Sequence, residues 1–260
     1  MTRWKASGIH FAISFVVLAV IIGFVVWRWY PPALFGMAKA GVLLTILTGV
    51  DVVLGPLLTL IIYRHGKKGL KFDLIAIAVL QVAALAFGLH TIWQSRPAYI
   101  VATTDRFYMV FANEIDPASA AEAQPEFQHA PWFGAKLVAA PLPEDSKARL
   151  AAMLEAISGV ETHRQPARYR TYPGPNHDPA PAAIPLQQAL ALASPGSRAA
   201  LQEAANGHIG DLALSPLLSS RGSAGALLER KTDRIVAFVG IDPWPIIGAA
   251  QAKRANTTPN

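Results

Sequence analysis

The stretch Leu47–Asp73, LTGVDVVLGPLLTLIIYRHGKKGLKFD, holds one carboxylate, Asp51, inside a long apolar run and then packs Arg64, Lys67, Lys68 and Lys71 into eight residues. A run that is apolar up to Tyr63 and abruptly basic after it has the pattern of a helix leaving hydrocarbon for water. Two other runs resemble it. Ala6–Trp27 and Leu74–Ser95 contain no Asp, Glu, Lys or Arg, and Ala40–Tyr63 contains only Asp51. Each exceeds the roughly 18 to 20 residues that a helix needs to cross about 30 Å of hydrocarbon. The expected fold is therefore a membrane protein with three transmembrane α-helices, at about 6–27, 40–63 and 74–95, followed by a small α+β periplasmic domain over 96–260.

Composition agrees with this reading. The chain is 52% hydrophobic and only 15% charged, against roughly 25% charged in ordinary soluble domains. Its net charge of +6 would suit a nucleic-acid binder, but the charge is in the wrong place for one. Residues 1–95 hold eight Lys/Arg against two Asp, whereas residues 96–260 hold fifteen of each sign. The whole excess lies in the apolar third, so no nucleic-acid partner is expected. Cysteine is absent, which excludes disulfides, thiol catalysis and cysteine-ligated metals.

Orientation follows from the cations. Arg3, Lys5, Arg64, Lys67, Lys68 and Lys71 fall at one set of helix ends, and Arg28, Lys39 and Arg96 at the other. Short-loop Lys/Arg bias sets topology, so the amino terminus and the 64–71 loop are expected in the cytoplasm and residues 96–260 in the periplasm. The same loop suits lipid headgroups, and a cytoplasmic partner is the other reading. Trp4, Trp27, Trp29, Tyr30, Tyr63 and Trp93 lie at the expected helix ends, where amphipathic rings favour the headgroup zone. Ala38-Lys39-Ala40 formally fits a signal-peptidase site, but it lies too far past an apolar run that is itself too long for a signal peptide. The first helix is expected to stay.

Asp51 sits mid-span, where a charge costs at least about 2.5 kcal/mol, so a partner is the default expectation. Thr48, Gly55 and Thr59 share its helix face at spacings of three and four, and small and polar residues there suit close helix packing. This face is a candidate surface for a transmembrane partner. Pro56 lacks an amide donor, so a kink or local unwinding is expected beside Asp51. By depth, Gln81 and His90 each lie about 6 to 8 Å along the axis from Asp51. Side chains lean toward their own amino terminus, which favours His90 over Gln81. The alternative is that Asp51 caps nearby backbone or Thr48.

Beyond Arg96 the pattern changes. Tyr99–Ala102 and Phe107–Phe111 read as a hairpin, Asp116-Pro117 starts a short helix, and Glu144–Ser158 reads as a longer one packed through Leu150, Met153, Leu154 and Ile157. Residues 165–185 are proline-dense and read as loop or extended chain. Helices follow at Pro185–Ala193 and Arg198–Asn206, and strands at Ala226–Arg230 and Arg234–Gly240. Catalytic signals are thin. His163, His177 and His208 with Asp178 match no metal-ligand spacing, and Ser215, Ser219, Ser220 and Ser223 lack a nucleophile elbow. Asp242-Pro243-Trp244 reads as a structural turn, and Arg164–Pro175 is either an unconstrained loop or a recognition surface. No catalytic residue, cofactor, metal or small-molecule substrate is expected.

Several strings together carry a resemblance. RWKASGIHFAISF (3–15), GVDVVLGPLLTLIIY (49–63), GKKGLKFDLIAIAVLQVAALAFG (66–88), RPAYIVATTDRFYMV (96–110) and, more weakly, IDPW (241–244) are similar to the type IV pilin accessory proteins of Gram-negative bacteria. The resemblance covers residues 3 to about 115. It implies a non-enzymatic inner-membrane protein that assists assembly or surface display of a type IV pilin, itself a single apolar helix with a periplasmic head. It places Asp51, Gly55, Pro56, Lys67, Lys68, Lys71 and Asp73 within the family-like motif. The implied partners are the pilin or other pilus-assembly membrane proteins, and lipid. An ion- or proton-coupled component using Asp51 is the alternative.

Overall fold

The computed structural model describes residues 2–30, 32–143, 145–157, 159, 161–172 and 183–257. It divides into two compact units, Met1–Pro31 with Lys39–Arg96, and Pro32–Ala38 with Pro97–Asn260.

The first unit is helical. Helix α1 (Arg3–Arg28) is capped by Thr2, whose hydroxyl accepts from the Lys5 amide. Between the units' first exchange of chain lies the single turn α2 (Pro32–Phe35), which belongs to the second unit. The next span, Ala40–Ile62, is built from α3 (Ala40–Thr48), a π-helical turn (Gly49–Leu54) and α4 (Gly55–Ile62). Helix α5 (Leu70–Gln94) completes the unit.

The unwinding expected beside Asp51 takes the form of this π turn. Pro56 has no amide to donate, and its ring crowds the carbonyl four residues back. The helix accommodates this by widening, and the Gly55 amide donates five residues back to Val50. The Asp51 carbonyl, left without its usual donor, accepts instead from Gln81 Nε2 at 3.1 Å.

Small residues bring the helices together. A Cβ on Gly55 would overlap the Gln81 amide, and one on Gly88 would lie 2.7 Å from Leu47 Cδ1. The three spans are long and apolar enough to cross a membrane, yet only 11%, 33% and 6% of their central windows is buried. Large side chains such as Phe15, Val20, Ile46, Leu57, Val79 and Phe87 are exposed. At the basic turn Gly66 and Gly69 have φ of 80° and 85°, which lets the chain reverse before α5. There Lys67 pairs with Asp73 at 2.6 Å.

The second unit is sheet-rich. Its strands are β1 (Pro97–Ala102), β2 (Phe107–Phe111), β3 (Lys136–Ala139), β4 (Arg170–Thr171), β5 (Ile184–Pro185), β6 (Leu212–Ser219), β7 (Gly222–Glu229) and β8 (Ile235–Val239). They form one sheet of order β4-β3-β1-β2-β6-β7-β8, with β5 beside β6. The β1–β2, β6–β7 and β7–β8 pairs are antiparallel hairpins, while β1–β3 and β2–β6 are parallel. The helices are α6 (Pro117–Ala121), α7 (Ser146–Ile157), α8 (Leu186–Leu192), α9 (Pro195–Ala205) and α10 (Trp244–Thr257). Leu186, Leu201, Leu214, Leu227 and Ile247 fill one core, and Tyr99, Val110, Phe127, Val138 and Tyr169 the other.

The expected hairpins and helices of this unit form, but several elements had no expectation behind them. Strand β6 carries Pro216 opposite Gly225 at its centre, a residue that argues against strand on sequence grounds. Asp242 does begin a turn, accepting from the Trp244 amide at 3.2 Å, but that turn starts α10, which places Ile246, Ile247 and Ala250 in the core. In the proline-dense stretch the extended alternative holds at β4 and β5, which flank its central part. Residues 173–182 of that stretch lie outside the described residues.

The Gly55 contact is testable. Adding one methyl to a closely packed position costs about 1–3 kcal/mol, so Gly55→Ala should lower the melting temperature of the full chain in detergent. Gly55→Ala with Gln81→Ala should then be destabilised by less than the sum of the two single variants. Strict additivity would remove the contact.

Candidate functional site

The polar groups of the helical unit converge on one seam. Ser7 Oγ donates to the Pro56 carbonyl at 2.8 Å. One turn along α1, His10 Nδ1 and Thr59 Oγ1 are hydrogen bonded at 2.7 Å, and Gln81 closes the seam from α5. Above these bonds a crevice of about 170 Å³ opens between α1 and α5. Ile13, Val17, Val82 and Leu85 are among its apolar walls, and His10, Ser14, Asp51 and Gln81 supply its polar groups. Asp51 is only 5% exposed, and its Oδ2 has no hydrogen-bond partner among the described residues.

Two expectations change here. Asp51 and His90 do not meet: His90 is exposed and bonds Gln94 Nε2 on its own helix at 2.9 Å. Side-chain lean on straight helices favours His90, whereas the π turn offers a main-chain carbonyl that Gln81 reaches. The face of Thr48, Asp51, Gly55, Pro56 and Thr59 is also not an open surface. Gly55, Pro56 and Thr59 are buried, with contacts to Gln81, Ser7 and His10 of the same chain. Thr48 returns its hydroxyl to the Leu44 carbonyl at 2.8 Å, as Ser and Thr do inside helices. Arg64, Lys68 and Lys71 are exposed around the Gly66–Gly69 turn, beside the Lys67–Asp73 pair. Ser7 and His10 were missed, although Ser7, His10 and Ser14 recur at spacings of three and four in SGIHFAIS, a legible polar stripe on an otherwise apolar helix.

In the sheet unit, among the described residues, no three His, Asp or Glu side chains group as a metal site would need. His177 and Asp178 lie outside the described residues. Ser215 is fully buried in β6 and Ser219 accepts from turn amides, both structural settings. His163 stacks on Tyr108 with ring centroids 3.8 Å apart, beside a cavity of about 370 Å³ that Thr103, Asp105, Leu142 and Glu161 also line. Its Nε2 lies 3.1 Å from a Glu161 carboxylate oxygen, to which a neutral imidazole can donate. Burial, with Arg164 nearby, pushes the imidazole down to about 4. Burial also pushes the Tyr169 phenol upward, and its hydroxyl donates to the His163 carbonyl at 2.5 Å. The apolar face of α7 was expected to be packed. Instead Leu150, Met153, Leu154 and Ile157 are 47–83% exposed, and Ala152 makes the buried contact.

The chain is 29% identical to the fimbrial assembly protein of serogroup I of Dichelobacter nodosus over 249 residues, 93% of this chain and 96% of that one. It is 33% identical to the fimbrial assembly protein of serogroups C1 and C2 of the same organism over 117 residues, 43% of this chain and 86% of that one. The chain belongs to the fimbrial assembly protein family. Its sequence strings pointed to the same place, among proteins of type IV pilus assembly. No family model matches it, and no solved structure does.

His163 gives the chain a predictable acid response. In the unfolded chain its imidazole titrates near 6.5, in the folded one at about 4. Between those values the unfolded state binds the extra proton, so the stability tied to His163 is complete above about pH 6.5 and falls as pH drops toward 4. The melting temperature should therefore fall less between pH 7 and pH 5 in His163→Gln than in the unsubstituted protein. Equal falls would show that His163 is protonated in the fold.

Proposed function

We propose that this chain is a non-enzymatic inner-membrane accessory of type IV pilin assembly or surface display, engaging the pilin through helix packing in the bilayer and through periplasmic contacts. The observation that carries the reading is the unburied apolar surface of the three spans, which needs a non-aqueous surrounding. Family membership supplies the process. The cation asymmetry supports a cytoplasmic amino terminus and 64–71 loop, with the sheet unit in the periplasm. An accessory that handles a subunit with one apolar helix and a periplasmic head needs a surface in each compartment. The exposed α7 stripe suits the second, because monomeric soluble domains rarely leave such a face open.

The second reading is proton or ion coupling through Asp51, favoured by its unpartnered Oδ2. Against it, the crevice's polar groups form one cluster rather than a relay along the span.

Reporter fusions test the topology: a fusion at residue 66 should report cytoplasm and one at residue 260 periplasm, and a periplasmic signal at 66 would overturn it. Deleting the gene should lower surface pili or twitching motility while total pilin stays near normal. Unchanged piliation and motility would reject the accessory role. For the periplasmic contact, Leu154→Asp with Ile157→Asp should reduce piliation several-fold. Because both side chains are exposed, stability should change by less than about 1 kcal/mol. A large loss of chain level, or normal piliation, would exclude α7 as the contact.

A further inference from the structure

We infer that the crevice between α1 and α5, with Asp51 at its base, is a recognition site for one hydrogen-bonding side chain presented at mid-bilayer by the pilin's transmembrane helix. This rests on the reading above and names the site within it. The expected face, Thr48 to Thr59, is largely taken up by contacts within the chain, so the unfilled position lies elsewhere on the same seam.

Three observations select the occupant. The crevice measures about 170 Å³, below the roughly 300–1,000 Å³ of sites that hold small molecules, and suits a single large side chain. Its flanks are ridges of apolar residues, Ile13 and Val17 on α1 and Val82 and Leu85 on α5, at the three-to-four spacing that another helix interdigitates with. At its base Asp51 Oδ2 is one hydrogen bond short. A carboxylate there lacks a donor and a carboxylic acid lacks an acceptor, and either vacancy is costly in hydrocarbon. Asp51 is the twelfth residue of the 23-residue span, so lipid headgroups at either end cannot reach it. Only a polar side chain carried to that depth by another helix supplies the missing bond. Gln81 spends one amide N–H on the Asp51 carbonyl and makes no bond to Oδ2. His10, whose Nδ1 is bonded to Thr59, borders the same space and adds a second polar wall.

The test uses the full chain in native membranes of a piliated strain, with that strain's major pilin as probe. A photocrosslinking amino acid at Val82, on the rim, should yield a pilin adduct. The same group at Leu80, 60% exposed and outside the crevice lining, should not. Asp51→Leu should lower the Val82 adduct at least tenfold, whereas Asp51→Asn, which keeps a hydrogen-bonding group, should lower it less than threefold. Ala78→Trp fills the crevice from its exposed side and leaves Asp51 unsubstituted. It should also lower the adduct at least tenfold at unchanged chain level, so a folding defect in Asp51→Leu cannot by itself decide the outcome. An adduct that survives Ala78→Trp overturns the inference, as does a Val82 group that labels only lipid. If pilin still co-isolates with the chain in that last case, the accessory reading stands and only the crevice falls. If pilin never co-isolates and deletion leaves piliation normal, both fall. Loss of piliation in Asp51→Asn with the adduct intact overturns recognition in favour of proton transfer.

Discussion

A proline without an amide hydrogen sets the geometry of the helical unit. Pro56 breaks the regular ladder of the second span, and the helix answers with a π turn in which Gly55 donates to Val50. That shift leaves the Asp51 carbonyl without a main-chain donor, and Gln81 takes the position. Because the Gln81 amide must lie against the backbone to do so, residue 55 has to be glycine. The Pro56 carbonyl, one residue further, is satisfied from the opposite side by Ser7. Polar contacts around this proline thus link three helices.

The same constraint explains where polarity survives in these apolar segments. Between helices surrounded by lipid there is little hydrophobic drive to associate, and close packing at small residues with interhelical hydrogen bonds takes its place. Ser7, His10, Thr59 and Gln81 have found partners within the chain. Asp51 Oδ2 has none among the described residues, which sets it apart from the groups that hold the unit together.

The sheet unit obeys a different logic, set by apolar burial. The short segment Pro32–Ala38 belongs to it although it lies between the first two spans. Leu34 and Ala38 are buried, Met37 packs near Gly222, and the Ala38 carbonyl accepts from Arg221 Nη1 at 3.1 Å. Arg221 in turn lies over the Phe111 ring, its guanidinium carbon 3.8 Å from the ring centroid. The chain therefore passes between the two units three times, at Pro31, Ala38 and Arg96. The segment between the first two spans is thus a structural element of the sheet unit.

What the sequence determined by itself was whatever depends on residues near one another along the chain. The three long apolar helices follow from uninterrupted runs, the β1–β2 hairpin from alternation about a polar turn, α6 from Asp116-Pro117, and the disturbance at Pro56 from a missing amide. The family, too, was legible, because its motifs are contiguous strings. Tertiary structure decided what depends on which surfaces meet. It gave Gln81 rather than His90 to Asp51, through a main-chain carbonyl that no side-chain pattern reveals. It turned the Thr48–Thr59 face inward and left α7 uncovered, though an apolar stripe reads the same whether or not something packs on it. It also made a central strand of β6 despite Pro216, and joined Pro32–Ala38 to the sheet, since burial among distant neighbours outweighs local preference once the chain is folded.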